Sequence, residues 1–406
     1  MTAFAQTAPH SSPSFLTTEL KSPKIDMLAA VQKVAALTRK SPRSVAFALL
    51  RSAVGRHRVL PEEYFGLGIW RTTLTDEERA AFVSHARIRA LAKTLIGPRY
   101  HDASSMMNDK YSTGLVLTAN GFDNPQPLAA FSTDRAFGRL RTLTTAAELA
   151  AYFADPSRPA VFGKPVNGSR ALGVSPILAV LPGADSVGLG QGKTAPIAAL
   201  SQEIASNYSR GWLMQELIEQ SADVIDLAGT SVSSLRVVTL WEDDGPQPLY
   251  AAWRLVAKGA TNDALVSGPR VLTKIDLASG KVVKARVGDF LNGRDVTHSP
   301  TNPDRPLVGY QIPDWPEVLR ICREAHRLFP GHAVIGWDIA LSSRGPLVQE
   351  VNATPLHDIY HKSHDSGFFA ADFLARFANA KQLLDARIAR YGEIVRFAGT
   401  KKTTAP

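Results

Sequence analysis

Apolar residues recur at helical spacing through the opening part of the chain. Leu28, Val31, Val34 and Ala35 lie three or four apart within residues 25–40, and Val45, Phe47 and Leu50 continue the pattern within 43–54. Two amphipathic helices are predicted there. Thr75-Asp76-Glu77-Glu78 sets a capping residue before three acids, the signal for a further helix start. From about residue 108 the texture changes to strands and glycine turns. Ala160-Val161-Phe162 runs into a loop at 163–173. Residues 213–218, 234–241 and 249–256 read as strands, and 271–287 as a hairpin turning at Ser279-Gly280. Asp314-Trp315-Pro316 opens a helix with the stripe Val318, Cys322, Ala325 and Phe329, which makes Cys322 a core residue rather than a nucleophile. A helix rich in Phe (Phe368, Phe369, Phe373, Phe377) closes the pattern before a polar tail. No repeat of fixed period is present.

The sharpest alternation lies at 334–352. Residues 334–341 and 346–352 form two strands joined by the turn Ser342-Ser343-Arg344-Gly345. Pairing them sets Asp338 opposite Glu350 and Gly336 opposite Asn352. Strand side chains alternate, so Asp338, Glu350 and Asn352 share one face between small Gly336 and Ala340. Ile335, Trp337, Ile339, Leu341, Leu347 and Val351 take the core side. Two carboxylates and an amide oxygen that converge repel one another unless a cation relieves them, and oxygen-only ligands favour a hard ion such as Mg²⁺. The alternative is an ordinary solvated hairpin face, which would more naturally carry Lys, Thr or mixed charges.

At 406 residues the chain suits two or three domains of ~150 residues each. The apolar share of 45% and charged share of 20% exclude wholesale disorder and fibrous classes. No apolar run approaches the ~20 residues of a spanning helix. The first ten residues lack both a charged region and an apolar region, so no signal peptide is read there. A single Cys322 builds neither an internal disulfide nor a zinc cluster, and a reducing cytoplasm is the expected compartment. The net charge of +9 is uneven. Residues 19–58 carry nine Lys or Arg against Glu19 and Asp26, a local net of +7. This describes a basic arm suited to an anionic surface or a protein partner, and argues against a specific nucleic-acid groove through the fold. Residues 1–24, rich in Ser, Thr and Pro, read as a flexible leader.

A second candidate is the stretch from Phe162 to Gly173. Lys164 ends an apolar strand, and Gly168, Ser169 and Gly173 offer backbone N–H groups to the same volume, which suits a polyphosphate. Gly188-Leu189-Gly190-Gln191-Gly192-Lys193-Thr194 resembles a phosphate-binding loop but puts Val187 where the first glycine must fall, so a surface loop is expected. Arg236 and Arg254 lie on predicted strands, where they could hold phosphate charge or an anionic acceptor. They could also be surface residues paired with acids such as Glu242. His357, His361 and His364 follow Thr354-Pro355, and three readings stand for them: a metal site, an acceptor-pocket wall, or a polar helix.

These motifs, in order, resemble the ATP-grasp superfamily. They are Asn108-Asp109-Lys110, Lys164 with its glycine loop, Leu213-Met214-Gln215-Glu216-Leu217-Ile218, Gly336-Trp337-Asp338 and Glu350-Val351-Asn352. Within it, Ser234-Leu235-Arg236-Val237-Val238-Thr239-Leu240 and the wording around Asp338 and Glu350 look most like the sugar-transfer-associated group. The resemblance implies an α/β (α+β) ATP-grasp fold, with nucleotide between two antiparallel-sheet subdomains. A helical N-terminal region at 25–107 would precede subdomains at 108–220 and 221–392, with a polar tail at 393–406. It further implies that Lys110 and Lys164 hold ATP phosphates, that 167–173 form the flap above them, and that Gln215, Glu216 and Ile218 belong to the adenine hinge. Asp338, Glu350 and Asn352 match its Mg²⁺ ligands. The implied reaction is ATP-dependent ligation of a small-molecule carboxylate and an amine, through an acyl-phosphate, in polysaccharide or cell-envelope metabolism. Lys164, Arg236 and Arg254 would be the catalytic residues. A phosphotransferase using the same site, or a non-catalytic nucleotide-binding protein with a basic docking arm, are the alternatives.

Overall fold

Side-chain caps at Asp26, Thr75, Ser84 and Asp109 start four helices of the opening region. The computed structural model describes residues 14–16, 25–54, 58–97, 101–168, 172–180, 185–190, 192–256 and 270–394. Helix α1 (Met27–Thr38) begins at Asp26, whose carboxylate accepts from Ala29 N, and stops at Arg39 in the left-handed conformation. It is followed by α2 (Pro42–Val54), α3 (Pro61–Gly66), α4 (Asp76–Ala80), α5 (His85–Thr94), α6 (His101–Asn108) and α7 (Lys110–Ala119). Thr75 and Glu78 close a reciprocal capping box on α4, as their spacing predicts. Strand texture begins at Pro127 rather than 108, because Asp109 caps α7 by accepting from Ser112 N at 2.8 Å.

The expected apolar stripes of α1 and α2 are partly wrong. Val34, Ala35, Val45 and Leu49 are buried, whereas Leu28, Phe47 and Leu50 lie on the surface. Phe47 stands two residues from Val45, about 200° around the helix, and the two cannot share a face.

Strands β1 (Pro127–Phe131), β2 (Thr142–Leu143), β3 (Val161–Pro165), β4 (Ser175–Ile177), β5 (Ser186–Gly188), β6 (Thr194–Pro196) and β7 (Trp212–Glu216) alternate with α8 (Ala146–Ala154) and α9 (Ile197–Asn207). Then come α10 (Ala222–Ala228), β8 (Ser234–Glu242), β9 (Gly245–Leu255), β10 (Val271–Ile275), β11 (Val282–Val287), β12 (Arg294–Asp295), α11 (Trp315–His326), β13 (Val334–Ser342), β14 (Gly345–Asn352), α12 (Asp358–His364) and α13 (Ala371–Ile394). The class is α/β of the α+β kind, with helices set against largely antiparallel sheets. Among the described residues no helix is long and apolar enough to cross a membrane.

The chain divides into two compact units. One comprises 1–21 with 126–217, the other 22–125 with 218–406. In the first, a sheet of order β2-β1-β7-β3-β4 buries Val161, Trp212 and Met214 against Leu149 and Phe153 of α8 and Leu200 and Ile204 of α9. Gly163 is required there, since a Cβ would stand 1.8 Å from the Trp212 ring. Part of the segment read as a flexible leader packs into this core. Leu16 is buried, and Glu203 of α9 accepts from Phe15 N at 2.8 Å and Leu16 N at 3.2 Å. The false phosphate loop lies on the hairpin β5–β6, with Gly190 and Gly192 at positive φ, and no helix follows the first strand as a phosphate loop requires.

In the second unit the sheet runs β12-β11-β10-β9-β8-β13-β14 and is antiparallel throughout. One face packs Trp253 and Trp337 with α11, where Val318, Cys322 and Ala325 are fully buried as the stripe predicts. The other face carries Val238, Leu240, Tyr250, Ala252 and Leu272 under α12 and α13.

Candidate functional site

The β13–β14 hairpin pairs Asp338 with Glu350 and Gly336 with Asn352, so the three oxygen donors share a face as their alternation implies. The turn is tighter than expected, Ser342 pairing with Gly345, and a shift of register between Asp338 and Ile339 restores the outer pairs. That shift exchanges two side chains. Val348 now pairs with Ile339 and joins the core, while Leu347 pairs with Ala340 on the opposite face.

The face is not a solvated one. Asp338 is only 4% exposed. The neighbouring strand β8 pairs Arg236 with Asp338 across the ladder, and Arg236 Nε donates to Oδ1 at 2.5 Å and Nη2 to Oδ2 at 3.1 Å. Arg254 of β9 reaches Oδ2 at 3.0 Å and donates to Ser234 Oγ at 2.6 Å. The surface pairing with Glu242 weighed for Arg236 is absent, for Glu242 binds Arg376. Lys110, at the first position of α7, stands 3.4 Å from Glu350. The two carboxylates therefore find three cations within the chain itself. Burial alone would push the Asp338 carboxyl up, but the Arg236 and Arg254 guanidiniums override it and hold the pKa down at about 2.

The donor set fits a hard divalent ion. One end of the Asn352 amide is buried without a hydrogen-bond partner and Glu350 beside it retains 36% side-chain exposure, so an amide oxygen turned to that end and the Glu350 carboxylate are the oxygens an ion would use. Gly336 opposite Asn352 is required because Pro355 packs onto it, and a Cβ there would stand 2.7 Å from the proline ring. Asp338 stands behind this pair, committed to the guanidiniums. No group of three or more His, Cys, Asp or Glu suited to a metal occurs among the described residues, so any ion here takes a mixed carboxylate–amide set.

The first unit carries a different group. Lys164 pairs with Leu213 and Phe162 with Gln215, which puts Lys164 and Gln215 on the sheet face opposite the α8–α9 core. Lys164 is 8% and Gln215 4% exposed, and Glu216 N donates to Gln126 O at 3.0 Å. Gly168 is exposed beyond β3, Ser169 lies outside the described residues, and Ile218 falls past β7 at the start of the second unit's return. Lys110, Arg236, Arg254, Asp338, Glu350 and Asn352 thus gather in one unit, and Lys164, Gln215 and Glu216 in the other.

The histidines form neither a metal site nor a polar helix. His357 stacks on Phe368 at 3.9 Å and bonds Tyr250 Oη through Nδ1 at 2.8 Å, and His364 stacks on Tyr360 at 4.4 Å. Burial lowers the pKa of His361 to about 4 and of His364 to about 3, and drives that of His357 well below the ordinary value. Sequence reasoning missed Tyr250, whose aromatic ring at a strand position looks like any core residue.

Comparison with solved structures finds D-alanine–D-alanine ligase from Bacillus anthracis at 11% identity, covering 70% of each chain, with a TM-score of 0.39. The corresponding Helicobacter pylori enzyme matches at 15% identity over 71% of this chain and 64% of that one, TM-score 0.40. An L-amino acid ligase from Bacillus licheniformis matches at 14% over 61% of this chain and 40% of that one, TM-score 0.30. No curated protein matches. The family model of sugar-transfer associated ATP-grasp proteins matches residues 96–370, well over half of the sequence, and the chain belongs to that family.

Proposed function

We propose that this chain is an ATP- and Mg²⁺-dependent carboxylate–amine ligase acting through an acyl-phosphate. The observation that carries this reading is the buried Arg236–Asp338–Arg254 cluster on the same sheet face as Glu350 and Asn352. Asp338 fixes both guanidinium planes, and fixed guanidiniums orient a carboxylate far better than a mobile lysine does. In this reading Arg236 and Arg254 hold the acceptor carboxylate in line with the γ-phosphorus. Lys110 and Lys164 hold the phosphates, Gly168 and Ser169 belong to the flap, and Gln215, Glu216 and Ile218 meet the adenine. Glu350 and Asn352, backed by Asp338, would hold Mg²⁺, which when bound neutralises phosphate oxygens.

The acceptor carboxylate oxygen attacks the γ-phosphorus and the bond to ADP breaks. The amine nitrogen then attacks the acyl carbon, phosphate departs with the acyl oxygen, and the amine proton passes to solvent. Catalysis is positioning and charge neutralisation, and no protein nucleophile is required. The family's association with sugar transfer supports a place in polysaccharide or cell-envelope metabolism.

The test is product analysis after incubation with MgATP and a metabolite extract. The expected outcome is ADP and free phosphate in equal amounts, with a condensed product lighter by one water than its two parts. Labelled γ-phosphate retained in a stable product would replace the ligase with a phosphotransferase, and nucleotide binding without turnover would replace both with a binding protein.

A further inference from the structure

The outward side of α2 carries a stripe that the packing of the helix does not explain. Val45 and Leu49 pack with Val34, Tyr64 and Phe65 in the core of the helical region. Arg43, Phe47, Leu50 and Val54 fall at i, i+4, i+7 and i+11, within about 60° of one another on the side turned away from that core. Phe47 is 69%, Leu50 59% and Val54 75% exposed. The stripe runs about 16 Å along the helix. Arg51, also exposed, borders it one turn from Phe47.

The charge around this stripe has one sign. Residues 27–61 contain seven Lys or Arg and no Asp or Glu. Among the described residues, neither Arg43 nor Arg51 pairs with a carboxylate. Arg39 and Lys40, exposed in the turn that leads into α2, extend the same field. Three large apolar side chains in line on a water-facing helix call for a covering surface, and the cations beside them call for negative charge on it.

A second copy of the chain does not meet that need. A two-fold contact sets a patch against itself, so Arg43 and Arg51 would face their own counterparts with no acid in the patch to relieve them. A single helix side is also a ridge, and a protein partner would need a groove shaped to it. An anionic bilayer takes such a ridge without a preformed pocket. The apolar stripe enters the boundary of the acyl chains, while the arginines, on long stems, keep their guanidiniums among the headgroups.

We infer that α2 docks this protein on anionic membranes, with Phe47, Leu50 and Val54 inserted and Arg43 and Arg51 on the lipid headgroups. Helix α2 belongs to the same compact unit as the Arg236–Asp338 cluster, so the unit held at the lipid surface is the one that carries Asp338. The inference stands apart from the ligase reading, since none of the five α2 residues serves the nucleotide or the acceptor.

Co-sedimentation of the full chain with vesicles of equal phosphatidylglycerol and phosphatidylcholine should exceed that with phosphatidylcholine alone. It should weaken as salt rises from about 0.1 M to about 1 M. Phe47→Ser/Leu50→Ser should reduce binding by about tenfold or more. Arg43→Gln/Arg51→Gln should reduce it by about 25-fold, since each arginine near such a surface strengthens binding about fivefold. A spin label on Val54→Cys reads insertion directly, because the single native cysteine, Cys322, is fully buried and stays unlabelled. The label should lose accessibility to an aqueous nickel chelate when anionic vesicles are added. Equal sedimentation with both vesicles, undiminished binding in either double variant, or a label that stays accessible to the chelate overturns the inference. So does a wild-type dimer that becomes monomeric in Phe47→Ser/Leu50→Ser, since the stripe would then be a protein interface.

Discussion

The two units bury very different kinds of side chain behind sheets of similar construction. The β1–β7 unit packs aliphatic and aromatic groups from α8 and α9, with no histidine among residues 126–217. The β8–β14 unit buries His326, His357 and His361 and the Arg236–Asp338 pair within one molecule's core. Among its described residues the β1–β7 unit buries Arg158 and Lys164 but no group that titrates between about pH 4 and 7, so mild acid leaves it unaffected. A core that encloses titratable groups holds its site rigid but ties its stability to their protonation.

Acid should therefore separate the units, with the largest effect of any treatment. His326 and His364 sit at about 3, His361 at about 4 and His357 well below the ordinary value, all through burial. The unfolded chain takes up protons near pH 6.5 and the folded one does not. Stability is thus fully present above about 6.5 and lost as pH falls towards the folded values, by roughly 1.4 kcal/mol per pH unit for each histidine. Asp338, held at about 2, keeps its contribution above about pH 3.9 and loses it only below that, so it adds to the acid loss at the low end and plays no part at pH 5.5. Hydrogen exchange at pH 5.5 should accelerate in β8 and β13 well before β3 and β7, and a parallel response would erase the contrast.

Asp338→Asn comes next. It leaves two guanidiniums of the second unit without their carboxylate, which typically costs about 3–5 kcal/mol, together with Mg²⁺-dependent turnover. Urea denaturation followed by exchange in β8 and β13 reads the loss. A change confined to activity, with stability intact, would mean that water already solvates the arginines.

Lys164→Ala probes the first unit. Losing one charge-assisted phosphate contact should weaken MgATP binding by about 1.5–3 kcal/mol in calorimetry. Unaltered affinity would take Lys164 out of the nucleotide site. The smallest effect belongs to Lys193→Ala on the β5–β6 hairpin, expected within about 0.5 kcal/mol for binding and stability alike. A larger loss there would give that hairpin a role its geometry does not suggest.

Much of this was legible from local pattern. The period-two alternation at 334–352 put Asp338, Glu350 and Asn352 on one face, and the helical stripe at 318–329 buried Cys322. Both are consequences of backbone geometry, which each residue type reports on its own. The same logic failed where two positions looked equally apolar. Phe47 and Leu49 differ only in which side of α2 another helix covers, and Leu347 and Val348 exchange faces through one register shift.

Charge partnerships stayed hidden for a different reason. Arg236 and Asp338 are a hundred residues apart, and Lys274 meets Ala252 only because β10 lies beside β9. Alternation along a strand says which side chains share its face, but strand order decides which faces meet across the ladder. Composition and spacing thus established the oxygen-donor set, the core stripes and the family's motifs. Strand order alone decided that Asp338 is clamped by two arginines and that Lys274 and Lys284 stand on the same rung of the ladder, because non-local pairing depends on the whole sheet and leaves no mark in any short stretch of sequence.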